Sequence, residues 1–159
     1  SLKSEFVTSK RHVWNIMRYS EILLNFAEAM VEAYGDPNYK DGYPMSAKEA
    51  VDIVRSRVHV DMPPFPNNLT LNEFKAKLRN ERRVELSFED HRFWDIRRWK
   101  IADQTTDIYG VDITKKEDGS FSYKKVLVEK RIFKDCMYLY PIPQSDRYIN
   151  PELEQNPGW

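Results

Sequence analysis

Residues 81–99 read Glu81-Arg82-Arg83-Val84-Glu85-Leu86-Ser87-Phe88-Glu89-Asp90-His91-Arg92-Phe93-Trp94-Asp95-Ile96-Arg97-Arg98-Trp99. Followed upstream, this stretch continues an amphipathic helix. Its inward stripe is Leu71, Phe74, Leu78, Glu81, Glu85 and Phe88, spaced 3, 4, 3, 4 and 3. Two carboxylates therefore share the face that otherwise packs into the core. A buried carboxylate stays ionised only beside cations, and otherwise its pKa shifts. Arginine suits the task because its planar fork binds a carboxylate through two hydrogen bonds. The expected arrangement is a structural ion-pair network of Glu28, Arg55, Glu81, Glu85, Arg92, Asp95, Arg97 and Arg98. Glu81 and Glu85 should each be mostly buried and meet an arginine from Arg55, Arg57, Arg92, Arg97 or Arg98.

Two carboxyls also suggest glycoside hydrolysis, which needs a pair flanking the scissile bond. Residues i and i+4 instead stand side by side on one helix, with Cβ atoms about 6 Å apart. The network reading outweighs the catalytic one, and no catalytic residue is assigned. A metal centre is not expected either. Helical di-iron sites place His three residues after Glu, whereas Phe88 follows Glu85 and Arg92 follows Glu89. His12, His59 and His91 are scattered, and there is neither a Gly-rich phosphate loop nor a Gly-x-Ser-x-Gly elbow.

The rest of the chain frames this helix. Residues 14–34 carry an apolar stripe of Ile16, Tyr19, Leu23, Ala27, Met30 and Tyr34, stopped by Gly35. Their polar face holds Arg18, Glu21, Asn25, Glu28 and Glu32. Ser46 and Glu49 have capping-box spacing and open a second helix through Arg57 and Val58, broken at Met62-Pro63-Pro64. Thr70 and Glu73 repeat the box before the third helix, which is expected to run to about Phe88. A short fourth helix is expected from Arg92 to Lys100. Beyond residue 102 the period changes to two, with Asp118-Gly119 as the turn of a hairpin whose second strand covers Phe121 to Phe133. The proline-rich end, Tyr138 to Trp159, reads as irregular with one short helix near Ser145. Its Leu139, Ile142, Leu153 and Trp159 predict that it docks on the helices.

Composition narrows the function. The 159 residues hold 25 Lys+Arg and 25 Asp+Glu, a formal net charge of zero. Nucleic-acid binders and polybasic membrane-surface proteins need a basic surplus, so neither class fits. No apolar run approaches the roughly 18 residues of a membrane helix. The one cysteine, Cys136, excludes an internal disulfide and lies too deep in the chain to be a lipid-attachment site.

Four blocks together resemble one family. Tyr19-Ser20-Glu21-Ile22-Leu23-Leu24-Asn25-Phe26-Ala27-Glu28-Ala29 is similar to its R-Y-x-E-x-L-L-x-Y-A-E-A helix, and Val54-Arg55-Ser56-Arg57 to its V-R-x-R step. Residues 81–99 resemble its E-R-R-x-E-L-x-F-E-G-x-R-F-x-D-x-R-R-W signature. Pro141-Ile142-Pro143 and the ending Asn150-Pro151-Glu152-Leu153-Glu154-Gln155-Asn156-Pro157-Gly158-Trp159 match its closing motifs. The family is SusD/RagB, nutrient-binding outer-membrane lipoproteins. The chain departs from it at Asp90, where the family usually has Gly.

The resemblance implies a mainly α fold: packed helices of a SusD-like C-terminal region, with a small β-hairpin and long irregular segments. Residues 1–159 would form a single domain, with helices at about 14–100 and a hairpin and packed tail at about 102–159. It further implies a surface-exposed, non-enzymatic subunit that binds a glycan or other polymeric nutrient. Its partner would be a SusC-like TonB-dependent outer-membrane transporter. No cofactor is implied, and membrane attachment would come only through a lipid anchor outside this chain, with the tetratricopeptide-like N-terminal half. Family signature residues read as scaffold. Sugar contacts are expected from ring faces in loops: Tyr39 and Tyr43 after the first helix, and Tyr109, Phe121 and Tyr123 in the hairpin. The competing reading is a helical scaffold that holds a peptide or protein partner in a groove. A carbohydrate-active enzyme rests on Glu81 and Glu85 alone.

Overall fold

The computed structural model describes residues 16–159. Contacts divide the chain into one compact unit ending at His91 and a second covering Arg92–Trp159.

In the first unit, α1 (Tyr19–Tyr34) packs against α2 (Ala47–Arg55) and α3 (Leu71–Glu85). Leu23, Leu24, Ala27, Met30 and Val31 of α1 are buried with Val51, Val54, Phe65, Phe74 and Leu78. Both capping boxes form, with Ser46 and Thr70 each accepting from the backbone N–H three residues on. Gly35 ends α1 with φ +68° in the left-handed region.

Several expected boundaries move. Helix α1 begins at Tyr19; Trp14 and Asn15 lie outside the described residues, and Ile16 precedes the helix and is exposed. Its buried face takes in Leu24 and Val31, while Tyr19 and Tyr34 are exposed. A helix touching two neighbours needs a broader apolar face than a single stripe supplies. Glu21, placed by periodicity on the polar face, is buried with a carboxylate oxygen 3.6 Å from His91 Nε2.

Helix α2 stops at Arg55, so Arg57 and Val58 lie beyond it. There the Met62 N–H donates to the Arg55 carbonyl and Arg55 Nε donates to the Pro63 carbonyl at 2.7 Å, turning the chain back. The Phe65 N–H then meets the Asp52 carboxylate at 2.9 Å, and the Phe65 ring packs edge-on against Phe74. Helix α3 ends at Glu85, not Phe88. Leu86 takes the core position, and Phe88, with φ +64°, is fully exposed.

The second unit contains α4 (His91–Arg98, whose first residue belongs to the first unit), a 3-10 turn at Ala102–Thr105, and strands β1 (Asp107–Lys115) and β2 (Phe121–Lys130). A second 3-10 turn at Asp135–Tyr138 and α5 (Gln144–Ile149) follow. The strands pair antiparallel, with Ile113 opposite Tyr123 and a bulge after Ile108 that leaves Val128 without an opposite residue. Strand β2 ends at Lys130, so Phe133 falls outside it.

The tail is held by its own side chains. Gln155 accepts from the Ile142 N–H and donates to the Ile142 carbonyl. Asn156 donates to the Tyr140 carbonyl, and the Trp159 indole N–H to the carbonyls of Cys136 and Leu139. Gly158 has φ +85°, and a Cβ there would stand 2.9 Å from the Cys136 Cβ, so glycine is required twice over. The tail was expected to bury its apolar groups. Ile142 and Leu153 are half-buried, whereas Leu139 and Trp159 remain exposed.

Asp90 sits at φ +62°. Glycine adopts that conformation freely, whereas aspartate does so at a steric cost. Asp90→Gly should raise stability by about 0.5–1 kcal/mol, read as a higher urea midpoint with unchanged m-value.

Candidate functional site

Two groups of side chains stand out, an arginine–carboxylate cluster and a set of exposed aromatic rings. The cluster follows from helix geometry. Glu81 and Glu85 lie one turn apart near the C-terminus of α3, where the helix dipole is unfavourable to anions. Glu81 pairs with Arg55 from the last turn of α2. Glu85, whose side chain is 8% exposed, pairs with both Arg57 and Arg18. Arg18 Nε also lies 2.9 and 3.0 Å from the two Glu89 oxygens, and its Nη2 donates to the Glu85 backbone carbonyl. Ser20 Oγ lies 3.2 Å from both Arg18 Nη1 and Arg57 Nη1.

The electrostatics match this geometry. Burial pushes the Glu85 carboxyl up, but hydrogen bonds from Arg57, Arg18 and Ser20 outweigh it and hold the group below the ordinary glutamate value. The Glu89 hydrogen bond is the main cause of the raised Arg18 pKa. The Arg18 and Arg57 hydrogen bonds leave Glu85 ionised and bound, a poor general acid and a poor nucleophile.

Arg18 is the member that sequence periodicity missed. It was assigned to the polar face of the first helix, yet it occupies the N-cap of α1 and reaches α3. Its position directly before Tyr19 in the R-Y-x-E block was the available signal. Asp95 is buried and pairs with Arg98 Nε at 2.9 Å. Arg97 stacks on the Phe93 ring at 3.5 Å and donates to the Phe93 carbonyl. Glu28 and Arg92 also have interaction partners.

The four candidate tyrosines fall in two places. Tyr39 and Tyr43 surround Tyr34: the Tyr39 ring stacks on Tyr34 at 4.0 Å, and the Tyr43 and Tyr34 hydroxyls are 2.7 Å apart. That hydrogen bond raises the Tyr34 pKa. Tyr39 is half-buried and one ring face is taken, whereas Tyr43 is more exposed. Tyr109 and Tyr123 share one face of the hairpin with Val111, Ile113, Phe121 and Leu127. Lys125 Nζ lies 3.9 Å from the centre of the Tyr109 ring, and Tyr123 is 69% exposed.

Sequence reading did not find a cleft of about 590 Å³ in the second unit, where Lys100, Asp103, Asp135 and Tyr138 converge. Its carboxylates, amine and phenol can exchange hydrogen bonds with a hydroxyl-rich molecule, and its volume suits a small ligand. Among the described residues, no group of three or more His, Cys, Asp or Glu side chains could hold a metal ion.

Arg18→Ala should destabilise the chain by about 3 kcal/mol, because it leaves Glu85 short of a partner inside the protein. This would appear as a lower denaturant midpoint. The pH dependence has a definite sign. A depressed carboxyl contributes stability above its unfolded pKa and loses it as pH falls through the folded value. Stability should therefore drop as pH goes below about 4.3, the ordinary glutamate value. Glu85→Gln should be less stable at neutral pH and lose less on acidification.

The sequence matches the SusD family over residues 4–159. It is 27% identical over 148 residues to SusD-like protein P2 of Formosa agariphila, covering 90% of this chain and 25% of that protein. The crystal structure of a SusD-like protein from Bacteroides fragilis superposes with a TM-score of 0.75 at 34% identity, covering 92% of this chain and 26% of that one. A second solved structure gives a TM-score of 0.68 at 29% identity, covering 90% and 23%. The chain thus spans about a quarter of the length of the relatives it matches. With the family match running over nearly all of its residues, the chain belongs to the SusD family and corresponds to a C-terminal portion of it.

Proposed function

We propose that the protein is part of a non-enzymatic nutrient-binding subunit of a TonB-dependent outer-membrane uptake system, with a glycan as the nutrient. The observation that carries this reading is the family match over residues 4–159. The full subunit would be surface-exposed, held to the outer membrane by a lipid anchor and paired with a SusC-like transporter. The bound state of Glu81 and Glu85 supports a role without catalysis, because both carboxylates are committed to arginines.

Glycan contact would come from exposed ring faces, which cover the C–H face of a sugar while neighbouring polar groups take its hydroxyls. Tyr43 and Tyr123 are the stronger candidates. Tyr39 gives one face to Tyr34, and Tyr109 gives one to Lys125. The groups converging on the 590 Å³ cleft add a third place for sugar hydroxyls.

Affinity electrophoresis of the chain in gels containing a panel of polysaccharides tests the reading. Retarded migration should be weak in the isolated chain, because a partial site leaves few contacts to offset the ordering cost. Tyr43→Ala and Tyr123→Ala should each weaken it, and the double variant should weaken it further, while leaving the melting temperature within about 2 °C. Release of reducing ends from any of the polysaccharides would overturn the non-enzymatic assignment.

A further inference from the structure

The hairpin sorts its side chains by charge. Directly paired residues of an antiparallel pair share a face. On one face Asp112 stands opposite Lys124 and Thr114 opposite Ser122, pairs that satisfy one another across the strands. On the other face the lysines have no such partner: Lys125 stands opposite Val111, and Lys115 opposite Phe121. Every residue of this second face is exposed, whereas Gly110, Ser122 and Val126 of the first are half-buried.

Lys125 is held in place all the same. Its ammonium lies 3.9 Å from the centre of the Tyr109 ring, its diagonal neighbour across the strands. A ring orients a cation but does not cancel its charge. Among the described residues neither Lys125 nor Lys115 is paired with a carboxylate. The acids of the hairpin lie elsewhere. Asp112 is on the opposite face, and Glu129 pairs with Arg131. Glu117 and Asp118 lie in the turn, with Asp118 bound to the Ser120 N–H and hydroxyl. Asp107, at the start of β1, lies 3.5 Å from the Tyr109 hydroxyl.

Tyr123 stands between the two lysines. Lys125 follows it by two residues on the same strand, about 7 Å along by strand rise, and Lys115 is its diagonal neighbour across the strands. Phe121 continues the row on the other side of Tyr123. An apolar partner surface, or a second copy of this face, would strip water from both lysines and give nothing back. An anionic occupant removes that cost. A uronate residue matches the pattern: its C–H face lies on an aromatic ring, and its carboxylate sits at the rim of the sugar, where the ammonium groups flank Tyr123.

We propose that this face of the hairpin is a subsite for an acidic polysaccharide built of uronate residues, with Tyr123 as the stacking platform and Lys125 and Lys115 as the groups that select the carboxylate. This rests on the glycan reading above and names its substrate class.

Affinity electrophoresis on polygalacturonate and on its methyl ester varies the charge while the sugar backbone stays constant. Polygalacturonate should retard the chain at least about threefold more strongly than the ester. Lys125→Gln and Lys115→Gln should each weaken binding to polygalacturonate about three- to fivefold, the size of one exposed charge pair. Lys125→Arg should retain it. Lys124→Gln, which removes the same charge from the opposite face, should leave it unchanged. Salt at about 1 M, where screening acts within about 3 Å, should erase the difference between the two polymers. Equal retardation by acid and ester, or an equal loss with Lys124→Gln, would overturn the proposal and leave the glycan reading standing. Poly-glutamate that retards the chain as strongly as polygalacturonate would overturn it by making an acidic polypeptide the occupant. No retardation by any polysaccharide would overturn both the proposal and the glycan reading.

Discussion

The ionised Glu85 carboxylate is the constraint around which the three-helix unit is built. It lies at the wrong end of α3 for an anion and is almost wholly withdrawn from water. It stays charged because Arg18 approaches from the start of α1 and Arg57 from just beyond α2. Two segments far apart in sequence are thereby pinned to one helix terminus. Glu81 with Arg55, and Glu89 with Arg18, extend the same clamp. A single uncompensated charge in this position would cost more than most apolar contacts contribute, so the cluster holds the ends of the helices in register.

The apolar core does the complementary work. Leu24, Val31, Val51, Val54 and Phe74 are the largest fully buried side chains. Hydrophobic burial is non-directional and sets how much the helices gain by meeting. The arginine forks are directional and set where they meet. In the second unit the order is reversed. Side-chain-to-backbone hydrogen bonds define the tail, with Trp159, Asn156 and Gln155 as donors, while apolar rings stay at the surface. Polar zippering of this kind gives shape with little burial.

Much of the local structure was legible from spacing. Both capping boxes, the stop at Gly35, the Asp118-Gly119 turn and the short helix near Ser145 rest on interactions within a few residues, and all of them form. The pairings of Glu81 and Glu85 with arginines followed from a charge placed on an apolar stripe. What spacing did not supply was where each helix ends and which of its faces a neighbour covers. Phe88 continued the stripe by period, but α3 ends three residues earlier and Leu86 turns into the core instead. Glu21 falls on the polar face by period, yet α1 packs on two helices and Glu21 is buried beside His91.

The sequence by itself determined the helix caps, the hairpin, the presence of a compensated carboxylate pair and the family, because each is carried by local hydrogen-bonding chemistry or by ordered motifs. Only the tertiary structure decided that Arg18 joins the cluster. Its partners, Glu85 and Glu89, lie 67 and 71 residues away, and no spacing rule reaches that far. It alone also decided which tyrosine faces are open. A ring at 4.0 Å from another, or a lysine 3.9 Å above one, is a matter of packing between segments, and composition carries no record of it.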